Sequence, residues 1–258
     1  MSDTSPPPTD QEQPLIAHLA ELRDRLLLAL ACVFAVFLVL TFFANDIYHA
    51  VALPLLAQLP ESTTMIATEV ASPFLVPFKL AFFTAVFITM PYILFQAWAF
   101  IAPGLYHKEL RFAMPLLVTS ILLFYVGVSF AYFVVFPLLF GFLTSVAPDG
   151  VSVMTDISHY LDFVLKLFFA FGLAFEVPIA TILLISTGVT TSEALAEKRT
   201  YIIVGAFAIG MLLTPPDVVS QVLLALPIWL LFESGLILSK YFKPVEEEND
   251  EDNGNGGE

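Results

Sequence analysis

Long uncharged runs alternate with short polar segments along this chain. A helix needs about 20 apolar residues to cross the hydrocarbon core of a bilayer. Residues 26–43 form an 18-residue uncharged run and read as the first span. The run 80–105 holds most of the second, predicted at about 77–101. Residues 112–148 give 37 uncharged positions, enough for a third helix at about 115–140, ended by Gly141 and the Ala-Pro-Asp-Gly turn at 147–150. A fourth is predicted at about 161–186, and the last two at 200–213 and 218–238. The fifth has only 13 apolar residues, 201–213, before a Thr-Pro-Pro-Asp turn. At 1.5 Å per residue that arm is roughly 20 Å long. It requires either a thinned bilayer or a re-entrant hairpin, and both return the chain to the same side.

The polar positions give direction. On a six-span reading, Arg23, Arg25, Lys108, Arg111, Lys198, Arg199, Lys240 and Lys243 fall on one side, and only Lys79 and Lys166 on the other. Loops rich in Lys and Arg stay in the cytoplasm, so both termini are expected there. Leu15, Leu19, Leu22 and Leu26 recur at helical spacing and predict an amphipathic helix leading into the first span. Prolines 91, 115, 137, 178 and 227 lie within spans. Each removes a backbone hydrogen bond and bends its helix, which favours a curved packing over a tight bundle. The fold class is therefore all-α and polytopic.

Composition agrees. The chain is 58% hydrophobic with 26 Phe and is 13% charged, against about 25% charged for soluble domains. The net charge of −14 is half explained by seven acids within residues 246–258. That stretch, taken with its neighbours as 244–258, reads as a solvated disordered tail. Residues 1–14 are polar and proline-rich, without the basic start of a signal peptide, and read as a disordered leader. No basic patch invites nucleic acid. Cys32 stands alone and reads as a packing residue.

Chemistry is sparse. No nucleophile-elbow, zinc-protease or phosphate-loop motif occurs, so no enzymatic activity, cofactor or metal is expected. The histidines at 18, 49, 107 and 159 lie in separate segments. Glu176 is the informative residue. Nine uncharged residues precede it and sixteen follow. A carboxylate at that depth costs at least ~2.5 kcal/mol, and a chain that keeps one has a use for it. Lys166 is too far along the helix to neutralise it, and Gln221 of the final hairpin is a candidate hydrogen-bond partner. Asp162 and Lys166 are spaced as an i,i+4 ion pair. Glu21 can either pair with Arg25 at i,i+4 or receive a cationic partner. Glu109, in the loop PGLYHKELR, can be a solvated acid near Arg111 or a second such receptor. Arginine suits such carboxylates because its planar fork makes two parallel bonds.

Seven collinear segments together resemble the TatC family, the large subunit of the twin-arginine protein translocase. They are HLAELRDRL, FANDIYHAVALPL, TMIATEVASPF, QAWAFIAPGLYHKE, SFAYFVVFP, FGLAFEVP and GMLLTPPDVVSQ. The resemblance implies six spans in a concave, glove-like arrangement with two short final helices, in the bacterial inner membrane. It implies a receptor for twin-arginine signal peptides of folded proteins, working with the single-span partners TatA and TatB and driven by the proton-motive force. Copies of the chain are expected to associate within the complex. Glu21, Glu109 and Phe100 match the family's signal-peptide site. Glu176 matches its intramembrane acid, and Met211, Thr214 and Gln221 match the side where partner helices dock. The alternative from a different class is a proton-coupled small-solute transporter using Glu176.

Overall fold

A computed structural model describes residues 12–56, 65–101, 110–145, 155–213 and 218–239. The predicted acidic tail, most of the leader, Glu109 and Thr214 lie outside the described residues. Over its described residues each predicted apolar run is mainly helical. Among the described residues, five helical stretches are long and apolar enough to cross a membrane, and a shorter apolar one covers Arg199–Leu212.

Helix α1 (Glu12–Thr41) joins the amphipathic leader and the first apolar run in one piece. No Gly or Pro lies between residues 15 and 41 to break it, and Pro14 falls in its first turn, where a proline is tolerated. It ends where Thr41 Oγ1 turns back onto the Phe37 carbonyl at 2.9 Å. A second helix, α2 (Ala44–Leu56), occupies a stretch that reads from sequence only as a loop. Helix α3 (Ser72–Ile101) contains Pro77 and Pro91 yet continues through both. Pro91 has no N–H for the Phe87 carbonyl, and Tyr125 Oη donates to that carbonyl at 2.8 Å instead.

Helix α4 (Leu110–Phe130) passes through a π-helical turn at Ala131–Val135 into α5 (Phe136–Ser145). The helix therefore runs beyond Gly141, where the sequence predicts its end. A glycine at a helix end needs a following left-handed or turn residue to act as a stop, and Gly141 here remains helical. The π turn lies directly before Pro137, where the regular ladder is already interrupted.

The fourth predicted span is two helices, α6 (Ile157–Ala174) and α7 (Val177–Ser186). The break falls at Phe175–Glu176 because Pro178 sits in the first turn of α7, where its missing N–H costs nothing. Short α8 (Ser192–Glu197) is capped by Thr191, which accepts from Ala194 N at 3.2 Å. The final hairpin is α9 (Arg199–Leu213) and α10 (Val218–Ser239). With 15 and 22 residues, they are roughly 22 and 33 Å long. The shortness expected of the pair resides in α9.

Packing follows the sequence order with crossovers: α1 on α3, α4 on α6, and α10 on both α7 and α9. The largest core cluster draws Leu80 from α3, Val135 and Phe136 from the π turn and α5, Val164, Leu167 and Phe171 from α6, and Leu224 from α10. A second joins Trp98, Leu116, Leu117, Ile179 and Ile182. Glycines set the closest approach of α4 and α6. A Cβ on Gly127 would meet the Phe171 carbonyl at 2.6 Å, and one on Gly172 would meet the Phe124 ring at 2.5 Å. The helices interlock there as small-residue contacts do in lipid.

The two loops at the far end of α1 and α5 meet in a two-residue parallel pairing of β1 (Met65–Ile66) and β2 (Thr155–Asp156). Asp156 organises this clasp. Its Oδ2 accepts from Thr68 N at 2.8 Å and Thr68 Oγ1 at 2.6 Å, while Oδ1 caps α6 through Ser158 N and His159 N. Ser158 Oγ donates to Ser72 Oγ at 2.7 Å beside it. These bonds hold the Asp156 carboxyl far below the ordinary carboxylate range, the Thr68 hydroxyl contributing most. Nearby, Asp162 pairs with Lys79 of α3 at 2.6 Å rather than with Lys166. Lys166 is exposed, and α3 supplies the closer cation.

Candidate functional site

The start of α1 lies against the end of α3, and this junction assembles two of the predicted site residues. Glu21 and Arg25, one helical turn apart, form an ion pair. Arg25 Nε and NH2 both donate to Glu21 Oε1, at 2.9 and 2.7 Å. Arg25 NH1 reaches across to Gln96 Oε1 of α3 at 3.3 Å. Gln96 is buried, and its Nε2 donates to Tyr92 Oη at 2.7 Å, which fixes the amide with its carbonyl toward Arg25. One turn before Glu21, His18 stacks on Phe100 with ring centroids 4.2 Å apart and planes 14° from parallel. His18 Nδ1 stands 3.9 Å from Glu21 Oε2. Glu21 and Phe100 thus come together through His18. Glu109 lies outside the described residues.

This corner has the makings of a guanidinium site. It holds a carboxylate already in contact with one arginine, a second carboxylate oxygen without a short partner among the described residues, and a flat aromatic stack alongside. Arginine recognises this combination through its fork and its face. Local spacing makes the Glu21–Arg25 pair readable from sequence. Gln96 and Tyr92 are not, because an amide and a phenol in an apolar run carry no periodic signal.

Glu176 sits at the α6–α7 break. Its Oε2 accepts from Ser120 Oγ of α4 at 2.5 Å. The partner is therefore Ser120, not Gln221. The antiparallel register of α4 and α6 explains this: Gly127 meets Phe171, Phe124 meets Gly172, and Ser120 then falls level with Glu176. Gln221 is instead held at the α9–α10 contact, where a Cβ on Gly210 would lie 3.7 Å from its Cα. Among the described residues, Glu176 Oε1 and Trp229 Nε1 are buried polar atoms without a hydrogen-bond partner. Among the described residues the one hydrogen-bond partner of the Glu176 carboxyl is the Ser120 hydroxyl.

The final hairpin carries Met211 on an exposed face of α9 and Gln221 half-buried near the start of α10. Thr214 lies outside the described residues. At the other end of the hairpin, Arg199 grips Glu233 in a two-point contact of 2.5 and 2.9 Å. The sequence marks neither as the other's partner, since they are far apart in the chain. Among the described residues no cluster of His, Cys, Asp or Glu has the grouping of a metal site.

Comparison with known proteins bears on this arrangement. The TatC family model, described as "Sec-independent protein translocase protein (TatC)", matches residues 17–227. The Haemophilus influenzae protein named Sec-independent protein translocase protein TatC is 59% identical over 240 residues, 93% of this chain and 94% of that relative. The protein of the same name from Escherichia coli K12 is 58% identical over 233 residues, 90% of each chain. A crystal structure described as the twin arginine translocase receptor TatC is similar with a TM-score of 0.78 at 40% identity, covering 87% of this chain and 98% of that one.

Proposed function

The chain belongs to the TatC family and is a multi-pass membrane subunit of the twin-arginine translocase, and on that premise we propose that it is the receptor for twin-arginine signal peptides. Adjacent arginines of the signal meet Glu21 and Glu109 at the cytoplasmic face, with His18 and Phe100 as the stacking surface beside Glu21. The chain lies in the bacterial inner membrane with both termini cytoplasmic, as its eight-to-two basic asymmetry supports. It works with the single-span subunits TatA and TatB and with further copies of itself. Folded cargo moves on the proton-motive force, and the chain performs no chemistry of its own.

The observation that carries this reading is the Glu21 carboxylate, which already holds a guanidinium at 2.7 and 2.9 Å. Each charge-assisted hydrogen bond contributes roughly 1.5–3 kcal/mol before ordering costs, a scale that suits a reversible receptor. The apolar part of the signal then lies along the helices toward Glu176, a polar contact at depth. Partner helices dock on the hairpin surface bearing Met211, Thr214 and Gln221.

The test is site-specific crosslinking of a twin-arginine peptide to the full chain in membranes. Glu21→Ala with Glu109→Ala is expected to reduce crosslinking sharply. Undiminished crosslinking, or capture of a dilysine peptide as strong as that of the diarginine one, overturns the receptor role.

A further inference from the structure

The Glu21 carboxylate is occupied by the chain's own arginine. We infer that Arg25 is an internal competitor for the signal peptide: it covers Glu21 at rest, and an incoming guanidinium must displace it toward Gln96. The inference rests on the reading of Glu21 as a guanidinium receptor and adds what controls access to it.

Four features point this way. First, both short contacts of Arg25 fall on one oxygen, Glu21 Oε1. A structural fork would engage both oxygens, as Arg199 does with Glu233. Oε2 is left toward His18 at 3.9 Å, a distance beyond a direct hydrogen bond. A guest can therefore contact Oε2 before Arg25 leaves Oε1.

Second, Arg25 has somewhere to go. Its NH1 already stands 3.3 Å from Gln96 Oε1. The Tyr92 hydroxyl holds the Gln96 amide so that its carbonyl stays presented. A neutral amide is a weaker acceptor than a carboxylate, so Arg25 prefers Glu21 when no guest is present and has a fallback when one is.

Third, the pair is neither buried nor fully solvated, with side chains 27% and 37% exposed for Arg25 and Glu21. Water and a guest both reach it. Exchange replaces one guanidinium by another at the same carboxylate, so the carboxylate is never left bare. Fourth, Arg25 lies one turn from Glu21 on the same helix, so the competitor is always at hand.

The consequence is a threshold. A guest must outcompete an arginine on the carboxylate before it binds, which weakens every cationic guest by the same factor, and a lysine, with a point charge and no fork, starts from the weaker hold.

The experiment uses the full chain in lipid nanodiscs and fluorescent peptides with either adjacent arginines or adjacent lysines before an apolar run. Arg25→Gln is expected to tighten binding of the diarginine peptide about three- to tenfold. The dilysine peptide should gain by a similar factor, the mark of a removed shared competitor. Arg23→Gln removes the same charge two residues away, where Arg23 pairs with Asp24 at 2.7 Å, and is expected to change affinity little. Gln96→Leu is expected to weaken peptide binding in the Arg25 chain and to have no such effect in the Arg25→Gln chain. Glu21→Gln reports on the receptor reading itself. If Glu21→Gln lowers affinity while Arg25→Gln leaves it unchanged or weaker, the competitor is overturned and the receptor stands. An equal gain from Arg23→Gln also overturns it, since simple charge then explains the effect. If Glu21→Gln has no effect, the receptor reading falls, and the competitor with it. Should Arg25→Gln not fold, the Gln96→Leu arm decides: unchanged affinity rejects the fallback contact and the exchange built on it.

Discussion

Tyr125 Oη donates to the Phe87 carbonyl across the α3–α4 contact at 2.8 Å. Phe87 is the residue whose carbonyl Pro91 leaves without an N–H four positions on. A gap in the hydrogen-bond ladder of one helix is thus filled by a hydroxyl on another, as backbone groups in lipid require.

Tyr125→Phe is therefore expected to destabilise the fold by about 0.6–1.7 kcal/mol, the range for hydrogen bonds between helices in bilayers. In a Pro91→Ala background the same change should cost almost nothing, because the restored N–H takes the carbonyl. Denaturation in mixed micelles measures both, and equal losses in the two backgrounds contradict the pairing.

Ser120 is the single hydrogen-bond partner of the Glu176 carboxyl among the described residues. Ser120→Ala is expected to lower stability by roughly 1–3 kcal/mol, the penalty for an unsatisfied buried polar group. Combined with Glu176→Leu, Ser120→Ala should be close to neutral, since no carboxyl is then left to satisfy. A thermal melt of the four proteins in detergent closes this cycle. Independent, additive losses would argue that Ser120 acts through packing alone.

The Asp156 clasp has a definite pH signature. Its folded carboxyl titrates below the ordinary range, chiefly through the Thr68 hydroxyl, then the Thr68 N–H and the amides that start α6. Below the ordinary carboxylate value the unfolded chain takes up a proton that the folded one refuses. The clasp's contribution is therefore full above about pH 5 and declines as pH falls through the ordinary carboxylate range toward the folded value. Melting temperature against pH for wild type and Asp156→Asn should show curves that are apart at neutral pH and converge in acid. A constant gap across that range contradicts the assignment.

Glycine positions differ sharply in what they tolerate. Gly127→Ala sets a Cβ 2.6 Å from the Phe171 carbonyl, and Gly172→Ala sets one 2.5 Å from the Phe124 ring. Each is expected to cost about 1–3 kcal/mol as overpacking. Gly127→Ala should also loosen the Ser120–Glu176 contact, since the same register holds both. Gly141→Ala, with nothing within 4 Å of its Cβ, is expected to be tolerated or mildly stabilising. Yields of folded protein by size exclusion, with melting curves, rank the three.

The apolar runs could be read from the chain because lipid imposes two simple demands, length and absence of charge. Over its described residues each run is mainly helical, and so is the amphipathic lead that merges with the first of them. The Glu21–Arg25 pair was legible for a similar reason: both residues belong to one helical turn. What stayed hidden depends on the register between helices. Glu176 faces Ser120 because Gly127 and Gly172 decide which turns of α4 and α6 meet, and Asp162 faces Lys79 across the separate α3–α6 contact. Spacing along one helix could not choose between Lys79 and Lys166, or between Ser120 and Gln221. The break at Phe175–Glu176 had a visible cause in Pro178, but a proline can bend a helix or divide it, and the choice is made by packing. The α2 helix and the β1–β2 pairing arise in loops whose sequence carries no strong period.

Asp156 bears on how such a chain is assembled. One of its oxygens begins a helix and the other collects a residue 88 positions earlier. The cap is local, but the bonds to Thr68 exist only when the two connecting segments have reached the same compartment. A chain inserted with either segment stranded across the bilayer would leave Oδ2 of this aspartate without its Thr68 partners. The same carboxylate thereby couples correct threading to the energy of the finished protein.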